Sequence, residues 1–304
     1  MGIKIIFSPK YTARVPGHVF RADKFEAALN LLLAEKVFSR KDIVEPARPS
    51  RADLELAHTR AWARRNLEFK FAPADSARAE IKLTRSVAEA HLLNTGGTIK
   101  AAELALETGL GLNCGGGSHH AFPDHGEGFC LINDMAVAVK KLQKSGRIRR
   151  ALIIDLDAHQ GNGTAAIFRG DRRVFTFSMH NDAIYPENKE KSSLDIPLRP
   201  GCRDGEYLAL LRAGLPRAFE RARPDLAVFV AGADVYRGDM LGGLKLTLGG
   251  IEKRDSFVLS ECRRRGVPVA VVLSGGYAKN FRDTVRIHAA TLKTAVREYS
   301  RAGK

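Results

Sequence analysis

The segment ALIIDLDAHQGNG, residues 151–163, places an uninterrupted apolar run directly before three side chains that can bind a metal. A short, fully apolar run of this kind is typical of a strand buried on both faces of a parallel sheet. Ligands of such sheets bind beyond the carboxyl ends of the strands. This one segment therefore predicts both the fold class and the place of the site.

The rest of the chain alternates between short apolar runs and longer helical patterns. The predicted strands are Ile3–Phe7, Gly111–Cys114, Ala151–Asp155, Val174–Phe177, Leu226–Val230 and Pro268–Leu273. The predicted helices span 23–37, 51–68, 84–108, 133–145, 162–169, 204–221, 249–265 and 279–300, with Asn133 and Asp204 expected as N-caps. We predict a single α/β domain, 1–304, with a mainly parallel β-sheet, right-handed connections and helices on both faces.

The composition of the 304 residues, 44% apolar and 27% charged, is that of an ordinary globular protein. No stretch reaches the roughly 18 apolar residues of a membrane span. The first apolar run is too short for a secretory signal, so we expect a cytoplasmic enzyme. The four cysteines are far apart and form no C-x-x-C pair, which argues against a disulfide framework and against a cysteine zinc site.

The formal net charge of +15 raises the question of an anionic partner such as nucleic acid or acidic lipid. The basic clusters are spread along the chain, near predicted helix ends and turns, and aromatic residues are not interleaved with them. This distribution favours a solvated basic surface over a nucleic-acid site.

Four polar segments follow predicted strands. They are GGGSHH at 115–120, DLDAHQGNG at 155–163, GAD at 232–234 and SGGY at 274–277. Because the carboxyl ends of parallel strands share one edge of the sheet, we expect the four segments to converge there. Their joint placement is more informative than any one of them.

Asp155, Asp157 and His159 alternate along the chain, so an extended backbone would put them on one face. Burying neighbouring carboxylates without a cation is costly. Asp234 offers a further ligand at a similar strand end. Two carboxylates and one imidazole, with one open position, suit a catalytic zinc that binds water. The alternative is a strand end capped by solvated acids, with a structural histidine.

The adjacent His119 and His120 are by themselves weak evidence, since they also fit a loop without function. Beside a metal site, one imidazole can take the proton of an activated water and return it to a leaving amine. The other can stay charged and stabilise negative charge. Tyr277, after a flexible turn, is either a packed side chain or a donor to a carbonyl oxygen that becomes an oxyanion.

Two aromatic side chains, Phe129 and Tyr185, are less specific. Either can belong to the core. They can equally form two walls of a narrow tube around an aliphatic acyl-lysine chain.

Taken in this order, the motifs resemble those of the zinc-dependent histone deacetylase family, over nearly the whole chain. The segments 157–163, 238–244 and 274–277 are most similar to class IV and its bacterial relatives. The resemblance implies an arginase/deacetylase-like fold. It also implies zinc-dependent hydrolysis of the amide bond of an N-ε-acyl-lysine, acetyl or longer, in a protein or peptide.

The resemblance further implies roles for single residues. The implied zinc ligands are Asp157, His159 and Asp234. His120 would be general base and acid, His119 its electrostatic partner, and Tyr277 would polarise the scissile carbonyl. The implied channel residues are Phe129 and Tyr185, which would flank the lysine chain, and Gly128, whose carbonyl would accept from the substrate amide.

The family also binds a structural potassium ion. By position, this ion would involve the side chains of Asp155 and Ser178 and the backbone carbonyls of Asp157, His159 and Met179. Asp155 would then bind potassium and orient His119 rather than contact zinc.

The chain departs from the family pattern at two positions. Asn162 stands behind His120 where several members have Asp, and a neutral partner stabilises an imidazolium less than a carboxylate does. Ser274 stands where many members have glycine, which leaves the acyl preference open. Residues 69–80 offer no clear equivalent of the acidic residue that grips the substrate backbone in some members.

Three alternatives remain beside a protein deacylase. An acetylpolyamine deacetylase would use the same zinc site on a small amine. An arginase-like enzyme with two manganese ions would require an acid where Gly161 stands. A catalytically inactive binding module would have lost Tyr277 or a zinc ligand, and the chain keeps all of them.

Overall fold

One sheet of eight parallel strands runs through the molecule, in the order β2-β1-β3-β8-β7-β4-β5-β6. The computed structural model describes residues 2–13 and 15–300. The predicted domain 1–304 also includes Met1, Arg14 and 301–304, which lie outside the described residues. The strands are β1 (Ile5–Ile6), β2 (Ile43–Val44), β3 (Leu110–Asn113), β4 (Ala151–Asp155), β5 (Val174–Asn181), β6 (Leu194–Leu198), β7 (Leu226–Val230) and β8 (Val269–Val272).

Ten α-helices accompany these strands in the described part of the chain. They are α1 (Asp23–Ala34), α2 (Arg51–Leu54), α3 (Arg60–Glu68), α4 (Pro73–Arg78), α5 (Arg85–Thr108), α6 (Asp134–Lys144), α7 (Asn162–Ile167), α8 (Asp204–Ala222), α9 (Leu248–Arg264) and α10 (Phe281–Ser300). None of them combines the length and the apolar character needed to cross a membrane.

Both faces of the sheet are buried. Leu152 and Ile154 belong to one apolar cluster with α1, α8, α9 and α10, whereas Ile153 belongs to a second cluster with α5 and α6. This alternation explains why β4 is apolar at every position before Asp155. The predicted α/β class, with a parallel sheet between helical layers, is confirmed.

Three elements were not predicted from the sequence, and two separate helices were predicted as one. The strands β2 and β6 lie at the two edges of the sheet and are only partly buried, so neither has a continuous apolar pattern. The short helix α4 was also missed. The predicted helix 51–68 is wrong, because the chain breaks between α2 and α3. There, His58 contacts Phe122 and Asn133, and Thr59 caps α3.

Of the two predicted N-caps, one is right. The side chain of Asn133 accepts a hydrogen bond from the backbone N–H of Ala136. Asp204 is instead the first residue of α8, after the N-cap position at Arg203. Its carboxylate accepts hydrogen bonds from the N–H and hydroxyl of Thr247, at the start of α9. It therefore joins the ends of two helices instead of capping one.

Candidate metal centre and active site

The four polar segments follow β3, β4, β7 and β8, which are consecutive neighbours in the sheet. Their side chains meet beyond the carboxyl edge. The strand β4 ends at Asp155, and two short turns follow in place of an extended backbone. In these turns the N–H of Asp157 donates to Asp155, and the N–H of His159 donates to Asp157. Asp155 and Asp157 consequently face different partners.

Asp157, His159 and Asp234 form a buried cluster in which one ligand atom from each lies within 4.8 Å of the others. The Nδ1 atom of His159 is 3.1 Å from Oδ1 of Asp157 and 2.9 Å from Oδ2 of Asp234. A Cβ atom at Gly275 would lie 2.6 Å from a carboxylate oxygen of each aspartate. Glycine at this position thus allows the backbone to close over the carboxylates.

The electrostatics of the cluster favour a bound cation. Burial and the neighbouring Asp157 carboxylate raise the pKa of Asp234 to about 7. Burial opposes protonation of His159, but hydrogen bonds to both carboxylates outweigh it and raise the pKa of His159 to about 10. Two buried carboxylates and one imidazole around a common point are a donor set that fits Zn²⁺ with one position open.

The two adjacent histidines lie side by side over this cluster, with ring centroids 4.0 Å apart. His119 Nδ1 is 2.8 Å from Oδ2 of Asp155. His120 Nδ1 is 2.7 Å from Oδ1 of Asn162. Both rings are almost completely buried. Each ring thus has its own polar partner, a carboxylate for one and an amide for the other.

The surroundings of the two rings shift their pKa values in opposite directions. Burial opposes protonation of His119, but the carboxylates of Asp155 and Asp157 outweigh it and raise its pKa to about 9. Burial, reinforced by positive charge on His119 and His159, lowers the pKa of His120 well below its usual range. The surroundings therefore favour the charged form of His119 and the neutral form of His120.

Tyr277 lies across the same pocket, its ring 5.9 Å from that of Phe129. Its turn is held by backbone and side-chain contacts: the Tyr277 N–H donates to Asp239, and the Gly275 N–H donates to Asp157. Ser274 has a φ of +54°, a left-handed conformation that favours glycine. The hydroxyl of Ser274 lies 2.9 Å from Oδ2 of Asp157, which ties the turn to the candidate metal cluster.

Sequence reasoning missed Lys24, which is fully buried in α1 behind this turn. Its ammonium group donates to the carbonyl of Ser274 at 2.9 Å and lies 5.0 Å from the centre of the Tyr277 ring. Burial lowers the pKa of Lys24 to about 8. No local signal distinguishes this lysine from an ordinary helix-surface lysine.

The pocket has a volume of about 60 Å³. Phe129 and Gly128 line the pocket beside His120 and Tyr277. Phe129 has a φ of +66° and Gly128 a φ of +49°. Tyr185 packs edge-on against His120, with ring centroids 5.0 Å apart, but does not line the described pocket. Of the two aromatic residues predicted to flank a channel, Phe129 lines this pocket and Tyr185 contacts His120 beside it.

A second missed residue is Glu127, on the loop after β3. Its Oε1 atom accepts hydrogen bonds of 2.6 Å from Nδ2 of Asn162 and from the hydroxyl of Tyr185. Its Oε2 atom is 3.4 Å from Nε2 of His125. An acid directly before Gly128 and Phe129 was visible in the sequence, but nothing there indicates that it reaches Asn162.

Three of the residues implied for potassium lie on the adjacent strands β4 and β5. Asp155 and Ser178 are paired in register on β4 and β5, and Met179 follows Ser178; all three are buried. The hydroxyl of Ser178 is 2.9 Å from Nδ1 of His180.

The chain is similar to known proteins over most of its length. The family described as "Histone deacetylase domain" matches residues 18–293. The chain is 41% identical to an uncharacterized protein of Picosynechococcus over 97% of this chain and 99% of that protein. It is 31% identical to Histone deacetylase 2 of Arabidopsis thaliana, over 97% of this chain and 79% of that protein.

A solved structure, described as an HDAC homologue complexed with SAHA, superimposes with a TM-score of 0.84 at 25% identity. The match covers 99% of this chain and 84% of that one. The fold, the family match and the relatives agree over nearly the whole chain. The chain therefore belongs to the zinc-dependent histone deacetylase family of hydrolases.

Proposed function

We propose that the chain is a zinc-dependent deacylase that hydrolyses the amide bond of N-ε-acyl-lysine, acetyl or longer, in proteins or peptides. The observation that carries the proposal is the meeting of a buried Asp–His–Asp cluster, the imidazole of His120 and the side chain of Tyr277 around one narrow pocket. These are the three parts that amide hydrolysis requires: a Lewis acid site, a base and an oxyanion donor.

Asp157, His159 and Asp234 would hold the zinc ion. When bound, zinc would supply Lewis acidity, polarising the scissile carbonyl and acidifying a water molecule. The backbone N–H of Gly275 and the hydroxyl of Ser274 both lie 2.9 Å from Oδ2 of Asp157. These two contacts fix the orientation of the Asp157 carboxylate and therefore the direction in which its other oxygen, Oδ1, points.

His120 acts as the general base and then the general acid. Its Nδ1 faces the amide oxygen of Asn162, so Nδ1 carries the proton and Nε2 is free to accept one. Its lowered pKa keeps the ring neutral at the start of the cycle. After accepting a proton from the attacking water, His120 returns it to the leaving amine.

His119 and Tyr277 stabilise the negative charge that develops on the carbonyl oxygen. Asp155 and Asp157 keep His119 charged near neutral pH. The hydroxyl of Tyr277 donates a hydrogen bond to the developing oxyanion. Burial and the carboxylates of Asp157 and Asp234 raise the pKa of Tyr277 well above its ordinary value, so the phenol retains the proton it must donate.

The lysine chain would pass between Phe129 and Tyr185, and the carbonyl of Gly128 would accept from the substrate amide. The described pocket continues between apolar side chains, Phe20, Ala22, Phe25 and Val87. These surroundings suit the hydrocarbon part of an acyl group.

The potassium ion, held through Asp155 and Ser178 with the carbonyls of Asp157, His159 and Met179, would fix the chain segment that carries two zinc ligands. The register pairing of Asp155 with Ser178 supports this assignment. The same Asp155 orients His119 through its Oδ2 atom.

An acyl-lysine panel tests the proposed substrate class. Peptides carrying acetyl, lactyl, octanoyl and myristoyl lysine would be compared with acetylputrescine, on the zinc-loaded enzyme. We expect turnover of at least one acyl-lysine peptide to exceed that of acetylputrescine in kcat/KM. Turnover of acetylputrescine alone would instead identify a small-molecule amidohydrolase.

A further inference from the structure

Glu127 has no part in the proposed mechanism, yet three side chains converge on it, two of which, Asn162 and Tyr185, also lie beside His120. Its Oε1 accepts from Nδ2 of Asn162 and from the hydroxyl of Tyr185, each at 2.6 Å. Its Oε2 lies 3.4 Å from Nε2 of His125. The side chain of Glu127 is 21% exposed, so most of this network is shielded from solvent.

The amide of Asn162 could in principle face His120 with either end. An amide oxygen accepts a hydrogen bond, whereas an amide NH₂ group donates two. If the oxygen faces Nδ1 of His120, the proton lies on Nδ1 and Nε2 is an acceptor. If the NH₂ group faced Nδ1, the proton would lie on Nε2. The ring could not then act as a base in the pocket.

Glu127 removes this ambiguity. An ionised carboxylate has only acceptor atoms, so it requires the NH₂ group of Asn162 to point toward it. Burial favours the neutral acid, but hydrogen bonds from His125, Tyr185 and Asn162 outweigh burial and lower the pKa of Glu127. With Nδ2 directed at Glu127, only Oδ1 is left for His120, at 2.7 Å.

We propose that Glu127 is a positioning residue that selects the Nδ1-protonated tautomer of His120 by fixing the orientation of the Asn162 amide. The inference rests on the proposed function in that it takes His120 as the base. A carboxylate in place of Asn162 would accept from Nδ1 whichever way it turned. The carboxylate of Glu127 is needed to select the tautomer only because the partner of His120 is the amide of Asn162.

The first test is spectroscopic. Ring ¹⁵N chemical shifts distinguish the two neutral tautomers, and the His120 signals are identified by their loss in His120→Gln. We expect wild-type His120 to be protonated on Nδ1. In Glu127→Gln, whose amide can either donate to or accept from Asn162, we expect a mixture of tautomers. Glu127→Ala, which removes the carboxylate, is a second variant with the same expectation.

Glu127→Gln should lower kcat on the order of tenfold, with KM little changed. This is the change in the population of the Nδ1-protonated tautomer that loss of one charge-assisted hydrogen bond allows. The matched control is Glu55→Gln. The Glu55 side chain is 24% exposed and pairs with Arg51 and Arg60, away from the pocket. We expect this control to alter neither the His120 signals nor kcat.

A double-mutant cycle tests whether Glu127 acts through Asn162. In an Asn162→Asp background, Glu127→Gln should cost little further activity or even restore some, because two facing carboxylates repel each other. An equal loss of kcat in both backgrounds would overturn the inference. So would an unchanged Nδ1-protonated signal in folded Glu127→Gln protein.

The tautomer measurement does not depend on turnover. If His120→Gln retained wild-type turnover, the proposed function of His120 would fail while the signals still reported on Glu127. A single tautomer in the wild type that becomes mixed in Glu127→Gln would support the positioning role by itself.

Discussion

His119 and His120 are neighbours in the chain and nearly touch in space, yet their surroundings give them opposite properties. His119 is backed by the carboxylate of Asp155 at 2.8 Å, and its pKa rises to about 9. His120 is backed by the amide of Asn162 at 2.7 Å, and its pKa falls well below the usual range. Both rings are buried, so burial alone does not distinguish them. The difference teaches that a carboxylate partner outweighs burial at His119, whereas the neutral amide of Asn162 does not outweigh burial and the neighbouring positive charge at His120.

Replacement of each histidine in turn by alanine should give the largest difference in kcat between the two positions. Loss of a general acid–base group typically costs about 10²–10⁴ in rate, and we expect His120→Ala to lower kcat within that range. His119→Ala should cost less, because Tyr277 still donates to the oxyanion. The measurement is kcat at fixed zinc content. A His119→Ala enzyme slower than His120→Ala would reverse the two roles.

Tyr277→Phe tests how far the charge of His119 can stabilise the oxyanion without the phenol. Removal of one oxyanion donor typically costs about 10²–10³ in kcat, and we expect that loss here. The variant should fold and bind zinc as the wild type does. Near wild-type turnover in Tyr277→Phe would remove the phenol from the mechanism.

Asn162→Asp makes the surroundings of His120 resemble those of His119. A carboxylate favours the charged ring and therefore raises the pKa of His120. The base must be neutral at the start, so a higher pKa moves the acid limb of the kcat/KM profile to higher pH. The ring centroids are 4.0 Å apart, so a pH profile reports macroscopic pKa values of the pair, and the predicted result is the direction of the shift.

The control for this shift is zinc content, which should be equal in the two proteins. An acid limb that stays in place, or moves to lower pH, in folded and zinc-loaded Asn162→Asp protein would contradict the assignment of His120 as the base.

Much of the fold could be predicted from the sequence because the central parallel strands are continuously apolar, as β7 is at every position and β4 is at every position before Asp155. Edge strands lack that signal, and β2 and β6 were missed for this reason. The break between α2 and α3 depends on contacts of His58 with distant backbone groups, which periodicity does not reveal.

The candidate site likewise contains residues that could be predicted from the sequence and residues that could not. Residues directly after strands, such as Asp157 and Asp234, could be placed together because strand ends share one edge of the sheet. Lys24 and Glu127 lie on a helix and a loop that reach the site from elsewhere in the sequence. Their contacts depend on how the loops fold over the edge, which no local pattern specifies.

The most direct test of zinc-dependent acyl-lysine hydrolysis is to measure zinc content and turnover together. The measurements would follow chelation and stepwise return of zinc, with the best acyl-lysine peptide as substrate. We expect activity to rise in proportion to bound zinc up to one ion per chain, and we expect the folded Asp157→Ala, Asp234→Ala double mutant to bind none at the site. Full turnover by the zinc-free protein, or unchanged zinc in that double mutant, would contradict the account.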